Sequence, residues 1–195
     1  MSRVVIRYIR RAVHRDAVAR WHAHHDPTLG ETFALGAFVD DDLVAAGVMG
    51  VPTAPKLQDG ATWEVARLAV GPEAPRYTAS RLLGACARVM DAAGIDRQVS
   101  YTRVDEKGSC FKAAGWLPVA YVQAREHDGT AGASGGNRAT WLPGLYEPST
   151  VPIDRIRWER GRRAAPATVD VDGRAVPVVE WDPAASLWVP TRRAA

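Results

Sequence analysis

Glu64 is a carboxylate set in an otherwise β-prone, largely apolar run, Trp63-Glu64-Val65-Ala66-Arg67-Leu68-Ala69-Val70. Buried there, it would hold its proton to a higher pH than a solvated glutamate, which suits a general base. The other open reading is a structural ion pair with Arg67 or another nearby arginine, since such pairs also perturb titration. Arg76 stands in the loop that follows, Gly71-Pro72-Glu73-Ala74-Pro75-Arg76-Tyr77-Thr78. A loop between a buried strand and a helix N-terminus presents free backbone N–H groups and a positive dipole end. Such a loop suits a phosphate or pyrophosphate, and Arg76 adds a charge at its mouth. It is equally the form of an ordinary strand-to-helix connection.

Two further clusters carry polar chemistry. His22-Ala23-His24-His25-Asp26 invites a metal reading, but no second group of Cys or His completes a site, so no metal is expected. His22 and His25, three apart, can share one helix face and reach a substrate, or simply end a solvated helix. Arg155, Arg157, Arg160, Arg162 and Arg163 form either a solvated face or a set of phosphate contacts to nucleic acid. Cys86 and Cys110 fall on separate predicted helices, Cys86 on the apolar face, and suggest no disulfide framework.

The elements that must position these residues follow from periodicity. Val4 to Ile9 reads as a strand, and Arg11 to about His24 as a helix stopped by Asp26-Pro27. Phe33 to Val39 and Leu43 to Val51 read as strands joined at Asp40-Asp41-Asp42. Lys56 to Gly60 is a predicted loop before the Glu64 strand. Ala79, Leu82, Leu83, Cys86, Met90 and Ala93 recur at helical spacing, with Thr78 as N-cap and Gly94 just past the end. Gln98 to Thr102 is the next strand, Lys107 to Ala114 a short helix, and Trp116 to Gln123 a strand. His127 to Asn137 is a Gly- and Ser-rich loop, and Ala139 to Leu142 a possible returning strand. Ala167 to Val171 and Ala175 to Val179 flank Asp172-Gly173, a hairpin signal.

Leu68-Ala69-Val70, a Pro-containing loop, Arg76, and a helix carrying Leu82-Leu83 together resemble the acetyl-CoA-binding segment of the GNAT superfamily of N-acyltransferases. The family's two loop glycines fall on Tyr77 and Ala79, and its leading Arg/Gln on Ala74. The variant Arg76-Tyr77-Thr78-Ala79-Ser80 is closer to a divergent phage- and prophage-associated GNAT-like family. Gly108 to Trp116 is similar to the family's short helix and Gly-aromatic pair. The likeness runs from about Val4 to Glu159. It implies a GNAT-like mixed α/β fold, with a largely antiparallel sheet flanked by helices. It also implies acetyl-CoA or another acyl-CoA as donor, held by Leu68, Ala69, Val70, Arg76, Tyr77, Thr78, Ala79 and Ser80. Glu64 would be the base. The tyrosine that many relatives use to protonate the thiolate falls on Phe111, so Tyr101 or Ser109 would substitute. His22, His25 and Arg67 would meet the acceptor, a small-molecule or protein amine. A second resemblance, to the GNAT-like Mom DNA-modification proteins of phages, implies a nucleobase acceptor. A third reading is a non-catalytic module that keeps the fold as a binding scaffold.

Composition bounds these readings. The chain of 195 residues is 47% hydrophobic and 24% charged, with a net charge of +3. Those values fit a globular protein and exclude a disordered one. Residues 1–160 are expected to form the acyltransferase domain. Residues 161–195 are expected to form a linker and a small β-hairpin-like extension, packing through Trp181 and Trp188 or folding only with a partner. No apolar run is long enough to span a bilayer, and the N-terminus lacks a signal-peptide core, so a cytoplasmic monomer or homodimer is expected.

Overall fold

The computed structural model describes residues 3–22, 32–124 and 153–191. The chain runs β1 (Val5–Tyr8), α1 (Arg11–Trp21), β2 (Phe33–Val39), β3 (Asp42–Gly50), β4 (Thr62–Val70) and α2 (Thr78–Ala92). It continues through β5 (Arg97–Arg103), α3 (Ser109–Ala113), β6 (Leu117–Val122) and β7 (Arg155–Arg160). Four short strands follow: β8 (Thr168–Val171), β9 (Arg174–Pro177), β10 (Val179–Asp182) and β11 (Leu187–Pro190).

The first seven strands form one sheet in the order β1-β2-β3-β4-β5-β7-β6. Every pairing is antiparallel except β4 with β5. The fold class is therefore the mixed α/β one expected. Asp40 and Asp41 both adopt positive φ, which is the two-residue turn that matches strand twist in a hairpin. Asp42 is already in β3, so the turn is two residues long rather than three.

The two faces of the sheet differ. On one lie α2 and α3, where Leu82, Leu83, Cys86, Met90, Phe111, Trp116 and Trp158 are buried in the main core. On the other, α1 covers only the first half of the sheet, packing Ala17 with Ile9, Ala34, Ala46 and Val48. Gly108 is required at the start of α3, because a Cβ there would lie 2.1 Å from the Trp158 ring.

Several boundaries shift from expectation. Helix α1 ends at Trp21, so His22 is its C-cap rather than a helical residue. Pro55–Leu57 forms a 3-10 turn inside the expected loop. Tyr77, not Thr78, is the N-cap of α2. No side chain caps the helix, and the Thr78 hydroxyl donates back to Pro75 O at 2.6 Å. The largest difference is β7, which reads in sequence as an arginine cluster and is an inner strand between β5 and β6. The expected loop His127–Asn137 and strand Ala139–Leu142 lie outside the described residues. Of the expected extension, β8–β9 is the hairpin through Asp172-Gly173, both at positive φ. The second hairpin, β10–β11, buries Val179 and Trp188 in the main core.

Candidate acyl-transfer site

Strands β4 and β5 pair over three residues only, Thr62 with Arg97, Trp63 with Gln98 and Glu64 with Val99. Beyond that point they part. The Ser100 hydroxyl donates to Val65 O at 2.8 Å and closes the root of the fork. A bulge between Val48 and Met49 adds to the bend of β4. Gly71 N–H donates to Val44 O, so antiparallel alternation turns the backbone groups of Leu68 and Val70 away from β3. Those groups face the side β5 has left. An opened strand edge of this kind can pair with the amides of an extended ligand. Ala69, buried between Leu68 and Val70, faces β3 through its backbone.

Glu64 lies at the root of this fork and is 6% exposed. Its Oε2 accepts the Thr53 N–H at 2.7 Å. Burial pushes its pKa above the ordinary value. The Thr53 hydrogen bonds and the charges of Arg67 and Arg155 pull against that shift without cancelling it. Arg67 donates to Ala66 O at 2.7 Å and acts on Glu64 as a nearby charge. Both readings of Glu64 therefore have a basis, but desolvation dominates. The Thr53 amide, which fixes the carboxylate, was not foreseen. It comes from a loop 11 residues upstream, with no side-chain signal.

Register places other residues on the same face. Glu64, Val99 and Glu159 are side-by-side neighbours across β4, β5 and β7, and Tyr101 faces Arg157 one row further. Tyr101 thus borders the opening fork, with the Arg155 guanidinium over its ring at 5.7 Å from the centroid. Burial first, then the Glu64 charge, raises the Tyr101 pKa, so its hydroxyl stays protonated and able to donate. Glu159 is fully buried and takes Arg97 at 2.9 and 2.6 Å and the Ala165 N–H at 2.6 Å.

The loop before α2, where a phosphate site is expected, enters the helix through Tyr77. Thr78 N–H is bonded to Pro75 O and Arg81 N–H to Tyr77 O, which leaves the amides of Ala79 and Ser80 between them without a backbone acceptor. The Ser80 hydroxyl donates to Tyr77 O at 3.0 Å. Tyr77 has φ 70°, the left-handed conformation a glycine would adopt at no cost. Its ring is 61% exposed, under the Arg76 guanidinium at 4.8 Å.

The structure separates other expected residues. Ser109 opens α3 and is exposed, on the element whose Phe111 packs against Trp158. His22 follows Trp21, whose ring occupies the space a Cβ on Gly71 would need, so α1 ends beside the downstream half of β4. His25 lies outside the described residues. Among the described residues no group of three or more His, Cys, Asp or Glu could hold a metal. The arginine cluster divides. Arg160 pairs with Asp91, Arg162 with Asp96 and Arg163 with Asp59. Arg155 and Arg157 lie on the Glu64 face, where Arg157 pairs with Glu159. No helix among the described residues is long and apolar enough to cross a membrane.

Several solved structures similar to this fold are described as acetyltransferases. An IAA acetyltransferase from Bacillus cereus ATCC 14579 aligns with a TM-score of 0.54 at 16% identity, over 82% of this chain and 99% of that one. A Bacillus subtilis acetyltransferase in complex with CoA gives 0.51 at 13% identity, over 83% and 99%. A GNAT-family acetyltransferase from Streptococcus pneumoniae gives 0.53 at 11% identity, over 82% and 99%. At such identity the likeness shows the fold, which is that of the GNAT superfamily. No curated protein matches the sequence. The Mom protein family matches residues 3–134, most of the chain, so this protein is a member of the Mom family built on a GNAT fold.

Proposed function

We propose that this protein transfers an acyl group from a CoA thioester to an amine, and that the amine is an exocyclic one on a nucleobase of DNA. The observation that carries the chemistry is Glu64, a desolvated carboxylate at the root of a strand fork with open backbone edges. Family membership supports the acceptor, since the Mom resemblance implies nucleobase modification. The bound CoA of the Bacillus subtilis relative supports the donor. The residues present fit such a donor. Backbone groups of Leu68 and Val70 would align its amide-bearing arm, and the Ala79 and Ser80 amides with Arg76 would take its pyrophosphate.

CoA, when bound, supplies an activated carbonyl and a thiolate leaving group. An exocyclic base amine is already neutral at pH 7 and weakly nucleophilic. It needs a base during attack rather than before it. Glu64 takes the amine proton as the C–N bond forms. The Val70 amide would donate to the carbonyl oxygen as charge gathers on it. Tyr101, whose hydroxyl stays protonated, would give its proton to the leaving thiolate. The base must leave its stack to reach the fork, as for other enzymes that act on a base.

The test is mass spectrometry of nucleosides from DNA of cells expressing the protein, with E64Q as control. A modified nucleoside present with the wild type and absent with E64Q is expected. Unmodified DNA, alongside acylation of a small or protein amine by purified protein and acetyl-CoA, would move the acceptor to that class.

A further inference from the structure

Thr53 is exposed, in the connection between β3 and β4, yet its polar groups meet a buried carboxylate. Its backbone N–H donates to Glu64 Oε2 at 2.7 Å, and its hydroxyl is a second donor to the same group. Both partners are held in place. Glu64 pairs through its backbone with Gly50 on β3 and Val99 on β5, so only its side-chain torsions can move the carboxylate. Pro52 is buried, and its carbonyl accepts the Gln58 side-chain amide at 2.9 Å. The 3-10 turn at Pro55–Leu57 follows, with Leu57 8% exposed. Thr53 thus stands between anchored residues without being packed in the core.

A glutamate side chain has many rotamers, and a donor on a braced connection selects among them. The amide could come from any residue but proline, so the hydroxyl is what a threonine adds at this position. A donor to the ionised carboxylate favours its charged form, against the desolvation that burial imposes. The other charged and titratable groups near Glu64 are Arg67 on β4, Tyr101 on β5, and Arg155, Arg157 and Glu159 on β7. Helix α1 carries the buried His14. All of these stay unchanged when only Thr53 is replaced.

We propose that Thr53 is a positioning residue for the base, holding the Glu64 carboxylate at the β4–β5 fork from the β3–β4 connection. This rests on the reading of Glu64 as base, and the two measurements that test it fail separately.

The first is a pH titration of the Glu64 carboxyl by NMR of the full chain with isotope-labelled glutamate, E64Q assigning the signal. T53V keeps the shape and the amide and loses the hydroxyl. Glu64 should titrate at higher pH in T53V than in the wild type, and T53S should restore the wild-type value. The second is the pH profile of acetyl transfer from acetyl-CoA to a single-stranded oligodeoxynucleotide. Its acid limb should move upward in T53V, so that the rate at a fixed pH on that limb falls about 2- to 10-fold, the worth of one hydrogen bond. T53S should return it. In the E64Q background T53V should lower the rate no further, as expected of residues that act as a unit. If T53V does not fold, T53A takes its place with the same expectations. A Glu64 titration unchanged by the loss of the hydroxyl overturns the inference. So does an unchanged pH profile beside a lowered melting temperature, the mark of a residue that only braces its loop. A displaced titration without any transfer to the oligonucleotide upholds the Thr53 contact and overturns the DNA acceptor. Full transfer by E64Q overturns the base itself.

Discussion

Glu64 has the same backbone position whether it acts as base or as ion-pair partner, and pH distinguishes the two roles. Its pKa is raised from 4.5, chiefly by burial. The folded state therefore prefers the protonated acid. Its contribution to stability is full below the unfolded pKa and is lost as pH rises through the higher folded pKa. E64Q removes that titration. The difference in melting temperature between E64Q and wild type should thus move in favour of E64Q as pH rises above about 4.5, the ordinary glutamate value. Transfer should fall on the order of 10²-fold or more in E64Q, the usual contribution of a general base. In the wild type it should rise with pH as the carboxylate ionises. An E64Q protein that unfolds, or one with full activity, would assign Glu64 to structure. Glu64 itself could be found in sequence because a lone carboxylate in an apolar strand is conspicuous. Its Thr53 amide could not, because any residue but proline supplies that donor.

Among the elements, strand β4, the loop after it and helix α2 were the most legible. Ala79 to Met90 carry a full helical period, and Gly94 sits at positive φ just beyond the end. Strand β7 was not recognised, although Ile156 and Trp158 are buried and alternate with the more exposed Arg155 and Arg157. A period of two was present there, but three arginines in six positions read as a solvated cluster. Arg160 pairs with Asp91 of α2 and Glu159 with Arg97 of β5, both distant in sequence. At the loop before α2 the glycine motif is altered, yet Tyr77 keeps the left-handed conformation. Tyr77 thus takes the backbone conformation a glycine would have there, with its side chain exposed. CoA should therefore raise the melting temperature by mass action. Arg76→Glu, exposed and distant from the core, should fold normally and lose that shift by repulsion of the pyrophosphate. A thermal shift assay with millimolar CoA checks this. An unchanged shift in the variant would place the donor elsewhere.

At the scale of the whole molecule, the C-terminal hairpins decide how far the domain extends. An Ala-Pro stretch after the arginines suggested a removable appendage, and on that basis truncation after Arg163 would leave a cooperative domain. Packing argues the reverse. Trp188 is 3% exposed and meets Trp158 edge to face at 5.4 Å, and Trp181 at 5.9 Å. Its backbone N–H donates to Val104 O at 2.9 Å and its indole N–H to Glu106 O at 3.0 Å. Lys112 lies over the same ring at 4.7 Å. The β10–β11 hairpin thus covers the β5–α3 connection, and with it the Phe111–Trp158 stack of the main core. Trp158 of that stack belongs to β7, whose other face carries Arg157 and Glu159, so the hairpin supports that strand from behind. Trp188→Ala should cost about 3–5 kcal/mol, the usual loss for a buried tryptophan, read as a lower denaturant midpoint at unchanged slope. Truncation after Arg163 removes Val179 and Trp188 together. It should lower the midpoint further, or abolish the cooperative transition and expose an apolar surface that drives aggregation. A truncated chain that unfolds cooperatively at the wild-type midpoint would show that β7 holds its place without the hairpin.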